Sequence, residues 1–257
     1  MLKGEGSAVK IEGNSFMNLK YPCRFDDTGT TPGLTFRKNF VYNWENAILA
    51  QGPYIDVDDN LFLLDINDRS FSPQNVIHTY TNANVTIRNN KIVTTSDGDC
   101  TFRIETAGSL LVNYNTIWVS TLGNGTAAPL IRAADQSKLQ FTHNILAFAN
   151  RILFVASGSP LPRINAADWD YNLYLTSGSY LDMFHVGTTS FNSITDWRVG
   201  SIYDFHSQID TYAKIPRAQY GNLKPMLTAI PKYAQGAPSY DTSYYLKPLS
   251  PIDLAGV

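Results

Sequence analysis

The sequence predicts an all-β chain, a single-stranded right-handed parallel β-helix of about seven coils. Three observations predict it. An eight-residue pattern built around an asparagine recurs seven times along the first two-thirds. Inside each copy the apolar residues alternate with period two, which is the period of a strand and not of a helix. Charged residues make up only 16% of the 257 residues, against about a quarter in an average globular protein. Asn, Thr, Ser and Tyr carry the polarity instead, which suits many turns and little exposed helix.

The pattern is apolar, any, apolar, any, any, Asn, any, apolar. It first appears as Val9-Lys10-Ile11-Glu12-Gly13-Asn14-Ser15-Phe16. Its later copies centre on Asn39, Asn60, Asn90, Asn115 and Asn144, and the weakest runs from Ala167 through Asn172 to Tyr174. The asparagines stand 25, 21, 30, 25, 29 and 28 residues apart. Periods of this size signal stacked repeats, and these units are too short for propeller blades and lack the leucine-rich pattern.

The asparagine has a mechanical reading. A sharp bend between two strands needs one left-handed residue, a conformation Asn tolerates better than most. In stacked coils its amide can also donate to one neighbouring Asn and accept from the other, which builds an internal ladder. A second strand follows the Asn, as at 91–94, and then a third, as at 100–104. Coil length varies in the turns, where solenoids place functional loops. The longest are 20–33, 65–74, 120–128 and 157–165.

The repeats occupy 1–185 and stop after Tyr174. Residues 186–257 read as an irregular segment of the same domain, lying over the last coils. Within it Ser193-Ile194-Thr195-Asp196-Trp197-Arg198 reads as a short helix with Ser193 at the N-cap. The first repeat starts at Val9, with no room for a capping helix, and an uncapped solenoid exposes apolar strand edges. Either an N-terminal portion of the β-helix precedes this chain, or the first coil packs against a partner, as in a homotrimer.

Several classes are excluded. A net charge of -2 and a pI of about 6.1 give no general attraction to nucleic acid. No stretch approaches the roughly 18 apolar residues of a membrane helix. Cys23 and Cys100 fit no metal spacing and read as two buried thiols. The start, Met1-Leu2-Lys3-Gly4-Glu5-Gly6, is not a secretory signal. An intracellular protein, a phage or secreted product made without a signal, and a recloned fragment all fit that start.

The repeats resemble the right-handed parallel β-helix superfamily of pectate lyases, chondroitinase B-like and alginate lyases, and phage tailspikes. Two segments of the tail add to this. Asp196-Trp197-Arg198-Val199-Gly200 through Asp204-Phe205-His206-Ser207 is similar to a segment common after the last coils of bacterial members. Tyr245-Leu246-Lys247-Pro248-Leu249-Ser250-Pro251-Ile252-Asp253-Leu254-Ala255-Gly256 resembles their closing segment. The resemblance implies a carbohydrate-active protein acting on an extracellular, acidic polysaccharide by lyase or hydrolase chemistry, located outside the cell as a secreted or virion protein. It equally covers non-catalytic modules that bind glycan or build a shaft. Chondroitinase B-like lyases set a Lys and an Arg beside a calcium held by an Asn and two Glu. That set is incomplete here, where Glu105 is the one glutamate near Arg103.

The candidate site lies on the third strand of the coils. Period two turns Phe102 and Ile104 inward and Arg103 and Glu105 outward. Equal offsets from the next repeat align His78, Arg103 and Arg132 in one column. Adjacent coils are about 4.8 Å apart, so the column spans about 10 Å. Two arginines suit the carboxylates of a polyuronate. Elimination needs that carboxylate neutralised, a base and an acid. His78 or Tyr80 would be the base, and Arg103 or Arg132 the neutraliser. The plainer reading is a solvated face with salt bridges such as Arg103 with Glu105. Trp118 should point outward and offers a platform for a sugar ring, whereas Trp169 falls at an inward position. His206 reads as a residue that fixes the tail by hydrogen bonding. No metal site is assigned, although the oxygen-rich stretches Asp56-Asp58-Asp59 and Asp65-Asn67-Asp68 have the chemistry for calcium.

Overall fold

The computed structural model describes residues 8–26, 33–64, 74–80, 83–95, 101–104, 108–120, 131–133, 138–148, 154–156, 168–176, 184–186, 189–201 and 203–211. The chain is a parallel β-solenoid. Three parallel sheets of seven, eight and six strands run along it. The first sheet takes the strand before each ladder asparagine, from Val9–Glu12 to Trp169–Asp170. The second takes the strand after it, from Ser15–Met17 to Leu173–Thr176, and then Gln208–Thr211. The third runs from Cys23–Asp26 to Phe154–Ala156. Among the described residues, complete coils are fewer than the seven asparagines suggest, because the third sheet has six strands there and the seventh repeat enters two sheets.

The pairing register follows the repeat. Val9 lies opposite Leu34, Leu34 opposite Ile55, Ile55 opposite Val85, and so on to Leu139. Alternate residues therefore stack like on like. Phe141 stacks on its register partner Trp169 at 4.5 Å, while Phe16, Phe36 and Phe62 stack between the first and second sheets at 5.8 and 6.3 Å. Trp169 is buried in this core, and so are Phe102 and Ile104 of the third sheet. Cys23 is a buried free thiol, and burial pushes its pKa up to about 12. Cys100 lies outside the described residues.

The ladder runs through all seven asparagines. Each amide Oδ1 from Asn39 to Asn172 accepts the backbone N–H and the Nδ2–H of the asparagine one coil before it. Each Nδ2 from Asn39 onward also donates to a strand carbonyl of the preceding coil, as Asn90 does to Val57 O at 2.9 Å. These six amides are buried and hydrogen-bonded at both ends, as buried polar groups must be.

The left-handed residue is not the asparagine. It is the residue immediately before it: Gly13, Lys38, Asp59, Asn89, Tyr114, His143 and Tyr171 have φ between 53° and 69°. The bend is completed one position early, which leaves the asparagine outside the left-handed region, and from Asn39 onward its side chain is buried. Side chains as bulky as Tyr and His accept the left-handed cost there because the ladder fixes the turn from both sides.

The described part of the C-terminal region carries regular elements. Phe184–Val186 and Thr189–Phe191 form an antiparallel hairpin. Helix Ile194–Ser201 follows, with Ser193 Oγ accepting the Asp196 N–H at 3.0 Å as its cap. Gln208–Thr211 then returns as the eighth strand of the second sheet. The repeat does not end at Tyr174. Ser207 takes the next rung, its Oγ accepting the Asn172 N–H at 2.8 Å. Residues 212–257 lie outside the described residues.

Asp204 organises this end. It is fully buried and accepts from Trp197 Nε1 at 2.7 Å, Tyr174 OH at 2.9 Å, Asn172 Nδ2 at 3.3 Å and Ser207 Oγ. Burial pushes its carboxyl up to about 6, against the pull of those four donors. Trp197 packs over the end of the core against Trp169, Phe184, Phe191 and Tyr203.

Candidate functional site

The third sheet carries the column expected from the sequence. Arg103 pairs in register with His78 on one side and with Arg132 on the other. Leu49 precedes His78 in the same column, and Val155 follows Arg132. His78 sits in the strand Asn75–Thr79 between inward Ile77 and Thr79, both fully buried. Arg103 sits between inward Phe102 and Ile104. The backbone alternation thus turns His78 and Arg103 to the outer face.

The column is less open than a solvated strand face. His78 is 8% exposed and Leu49 is 8% exposed. Arg103 is half-buried. Tyr80, at 42% exposure, is the open member. Its ring lies against the His78 imidazole, with centroids 4.2 Å apart and planes tilted by 39°. An imidazole and a phenol therefore sit together, one strand away from a guanidinium. Arg132 belongs to the strand Ile131–Ala133, and its side chain lies outside the described residues, as does Glu105. Trp118 lies in the strand Thr116–Ser120, paired with Val93 and Ala147. Its side chain is likewise outside them.

The two acidic stretches differ in standing. Asp56 and Asp58 face Arg88 across one coil, at 3.4 Å each, and Asp58 also accepts from Asn89 Nδ2 at 2.9 Å. They belong to a column of alternating sign, Glu12, Arg37, Asp58 and Arg88, on the outer face of the first sheet. Asp65-Asn67-Asp68 lies outside the described residues. Among the described residues, no group of three or more His, Cys, Asp or Glu side chains could hold a metal ion.

A second constellation lies beside the ladder. The left-handed position before the ladder is aromatic or imidazole in three successive coils, and His206 continues the row. Tyr114, His143, Tyr171 and His206 stack with centroid distances of 4.8, 5.2 and 4.8 Å. His206 Nδ1 lies 2.6 Å from Asp170 Oδ2, and the His206 N–H donates to Asp170 Oδ1 at 2.7 Å. Burial lowers the His143 pKa, and the Asp170 charge partly restores it. The signal was present as Tyr-Asn, His-Asn, Tyr-Asn and His-Ser at successive ladder steps. His206 fixes the returning tail to the last coil of the first sheet.

Fold and ladder together define the class: a parallel β-solenoid with an asparagine ladder closed at its C-terminal end. In comparison with known proteins, no family model, no curated protein and no solved structure matches the chain. What the outer faces do is therefore argued from their own geometry.

Proposed function

We propose that the chain is a carbohydrate-active β-solenoid that binds an acidic polysaccharide along the third sheet and cleaves it by lyase or hydrolase chemistry. The observation that supports this most is the register that aligns His78, Arg103 and Arg132, with Tyr80 against His78. Successive coils repeat at about 4.8 Å, so the two arginines are spaced to meet carboxylates of a polyuronate. In elimination a guanidinium neutralises the uronate carboxylate, which acidifies the C5 proton. The His78–Tyr80 pair then offers one group to take that proton and one to protonate the leaving oxygen. Trp118 would serve as a stacking platform for a neighbouring ring. The resemblance of the repeats and of the closing segment to polysaccharide lyases and tailspikes supports the same substrate class and an extracellular setting.

A second reading is favoured by one observation. His78 is 8% exposed, more buried than a base open to a polymer. That burial suits a non-catalytic module of a phage tail or adhesin, which binds glycan or forms a shaft. Absorbance at 232 nm during incubation with alginate, pectin, chondroitin and capsule polysaccharides, with and without calcium, separates the two. A lyase gives a rise on one polymer. Arg103→Ala and His78→Ala, checked for folding by circular dichroism, each lower its rate roughly a hundredfold or more. A flat trace together with unchanged reducing ends on every polymer removes the cleavage reading and leaves the binding module.

A further inference from the structure

The row of rings beside the ladder stops at Tyr114. Its corner position is filled by Gly13, Lys38, Asp59 and Asn89 in the first four coils, and by Tyr114, His143 and Tyr171 in the next three. His206 extends the row by one more ring. His143 and Tyr171 each have a ring on both faces, and both are half-buried. The two end rings, Tyr114 and His206, are exposed. Exposure therefore sits where a ring face is left uncovered. His206 is fastened in place by Asp170, which accepts from its Nδ1 and its backbone N–H. Tyr114 is 47% exposed, and among the described residues it stacks on His143 alone. The Tyr114 hydroxyl has no hydrogen-bond partner among them either.

On the open side of Tyr114 the corner drops to short polar side chains. Arg88 pairs in register with Asn113, so Asn89 holds the place next to Tyr114. Asn89 is exposed, and its Nδ2 donates to Asp58 Oδ1 at 2.9 Å, which draws the amide toward the first sheet. Asp59, one coil further, is exposed as well. A ring thus stands as a wall above a step of Asn89 and Asp59. The charge around the step is acidic or already matched, since Arg88 meets Asp56 and Asp58 at 3.4 Å each. Beside the wall the first sheet turns from charged to amide and hydroxyl chemistry. Asn113 Nδ2 donates to Gln140 Oε1 at 3.5 Å, and Thr142 Oγ1 donates to Asn113 Oδ1 at 3.1 Å.

We propose that the step at Tyr114 is a binding site for a neutral glycan, with one pyranose ring taking the next place in the row. The rings already there repeat at 4.8 to 5.2 Å, so a ring stacked on Tyr114 comes to lie over Asn89. The C–H face of a sugar packs on the negative face of the phenol. The sugar hydroxyls then have an amide and a carboxylate within the same step, groups that both accept hydrogen bonds. Charge selects a neutral sugar. A uronate or a phosphate brought to Tyr114 meets Asp58 and Asp59, and Arg88 is already held by two carboxylates. The third sheet has the opposite character, with Arg103 and Arg132 in one column. The step lies on the corner between the first and second sheets, so the inference does not depend on the reading of the third.

The test is a titration of the full chain with neutral oligosaccharides of glucose, of mannose and of galactose, followed by NMR of the Tyr and His ring signals. At least one of the three is expected to bind and to shift the Tyr114 and His143 rings, and polygalacturonate should not displace it. Tyr114→Asn removes the wall. It puts at the corner the residue that Asn89 shows to be accommodated there at φ 56°, so the chain keeps its fold. Its affinity should fall about tenfold or more, the loss of one ring stack, while Tyr114→Phe stays close to the parent. No shift with any of the three sugars at about 10 mM, or equal affinity in Tyr114→Asn, overturns the proposal. Displacement by polygalacturonate also overturns it, because the sugar then shares the third sheet. So does a dimer that dissociates in Tyr114→Asn, since a second copy would then occupy the ring.

Discussion

At the scale of single residues, the ladder concentrates stability in a few amides. Asn90 Oδ1 accepts two hydrogens from Asn60, and Asn90 Nδ2 donates to Asn115 Oδ1 at 3.0 Å and to Val57 O at 2.9 Å. Asn90→Ala strips the acceptor from a buried backbone N–H and a donor from a buried carbonyl. Each orphaned group costs about 1–3 kcal/mol, so a loss of about 3 kcal/mol or more is expected in urea unfolding. A loss under about 1 kcal/mol would mean that water enters the ladder freely. Asp204 makes a second prediction, on pH. Its carboxyl rises from 3.8 to about 6 on folding, so the folded state favours the protonated form. That contribution is complete below about pH 4 and is lost as pH rises through about 6, by roughly 3 kcal/mol at most. The melting temperature should fall over that window, and the slope should be absent in Asp204→Asn, itself destabilised at every pH. A melting temperature that rises from pH 4 to 7 by the same amount in both proteins would remove Asp204 as the cause.

At the scale of elements, the turns decide how closely coils approach. A Cβ placed on Gly108 would lie 1.8 Å from Ala83 O, and one on Gly33 would lie 2.2 Å from Tyr54 O. Both glycines stand just before a strand of the first sheet, where the chain backs onto the neighbouring coil. The clash is with backbone, which cannot rotate away. Gly108→Ala is expected to cost about 2 kcal/mol or more, read from the urea midpoint. A neutral result would show that the turn shifts without disturbing the strand Ser109–Asn113. Elements were the most legible part of the sequence. The alternation around each asparagine marked the strands, and equal offsets between repeats aligned His78, Arg103 and Arg132 in the register that the third sheet has. Other features were not legible, for physical reasons. Left-handed Lys38, Tyr114 and His143 run against local propensity and follow from the ladder on either side. The eighth rung was hidden because Ser207 supplies with a hydroxyl what the others supply with an amide. The burial of His78 depends on tertiary packing that alternation does not reveal.

At the scale of the whole molecule, a solenoid behaves as a one-dimensional array in which each coil contacts only its neighbours. Its weakest point is therefore an end, and the two ends here are unequal. The C-terminal end holds Trp197, fully buried against four aromatic rings, and a carboxylate that gathers the last ladder donors. The N-terminal end has an exposed Asn14, a partly buried Phe16 and three strands paired on one side among the described residues. Opening should begin at Val9–Met17 and move inward. Asn14→Ala then acts on a coil that already frays, and should change global stability by less than about 1 kcal/mol. Trp197→Ala removes a buried indole, worth about 3–5 kcal/mol, and also unlocks the far end. Measured by urea unfolding, the loss in Trp197→Ala should exceed that in Asn14→Ala by about 3 kcal/mol. Native-state hydrogen exchange should show the strands Leu173–Thr176 and Gln208–Thr211 opening in Trp197→Ala and staying closed in Asn14→Ala. Equal losses from the two substitutions would show that the stack opens as one unit from both ends. The difference between a closed and an open end would then have no part in its stability.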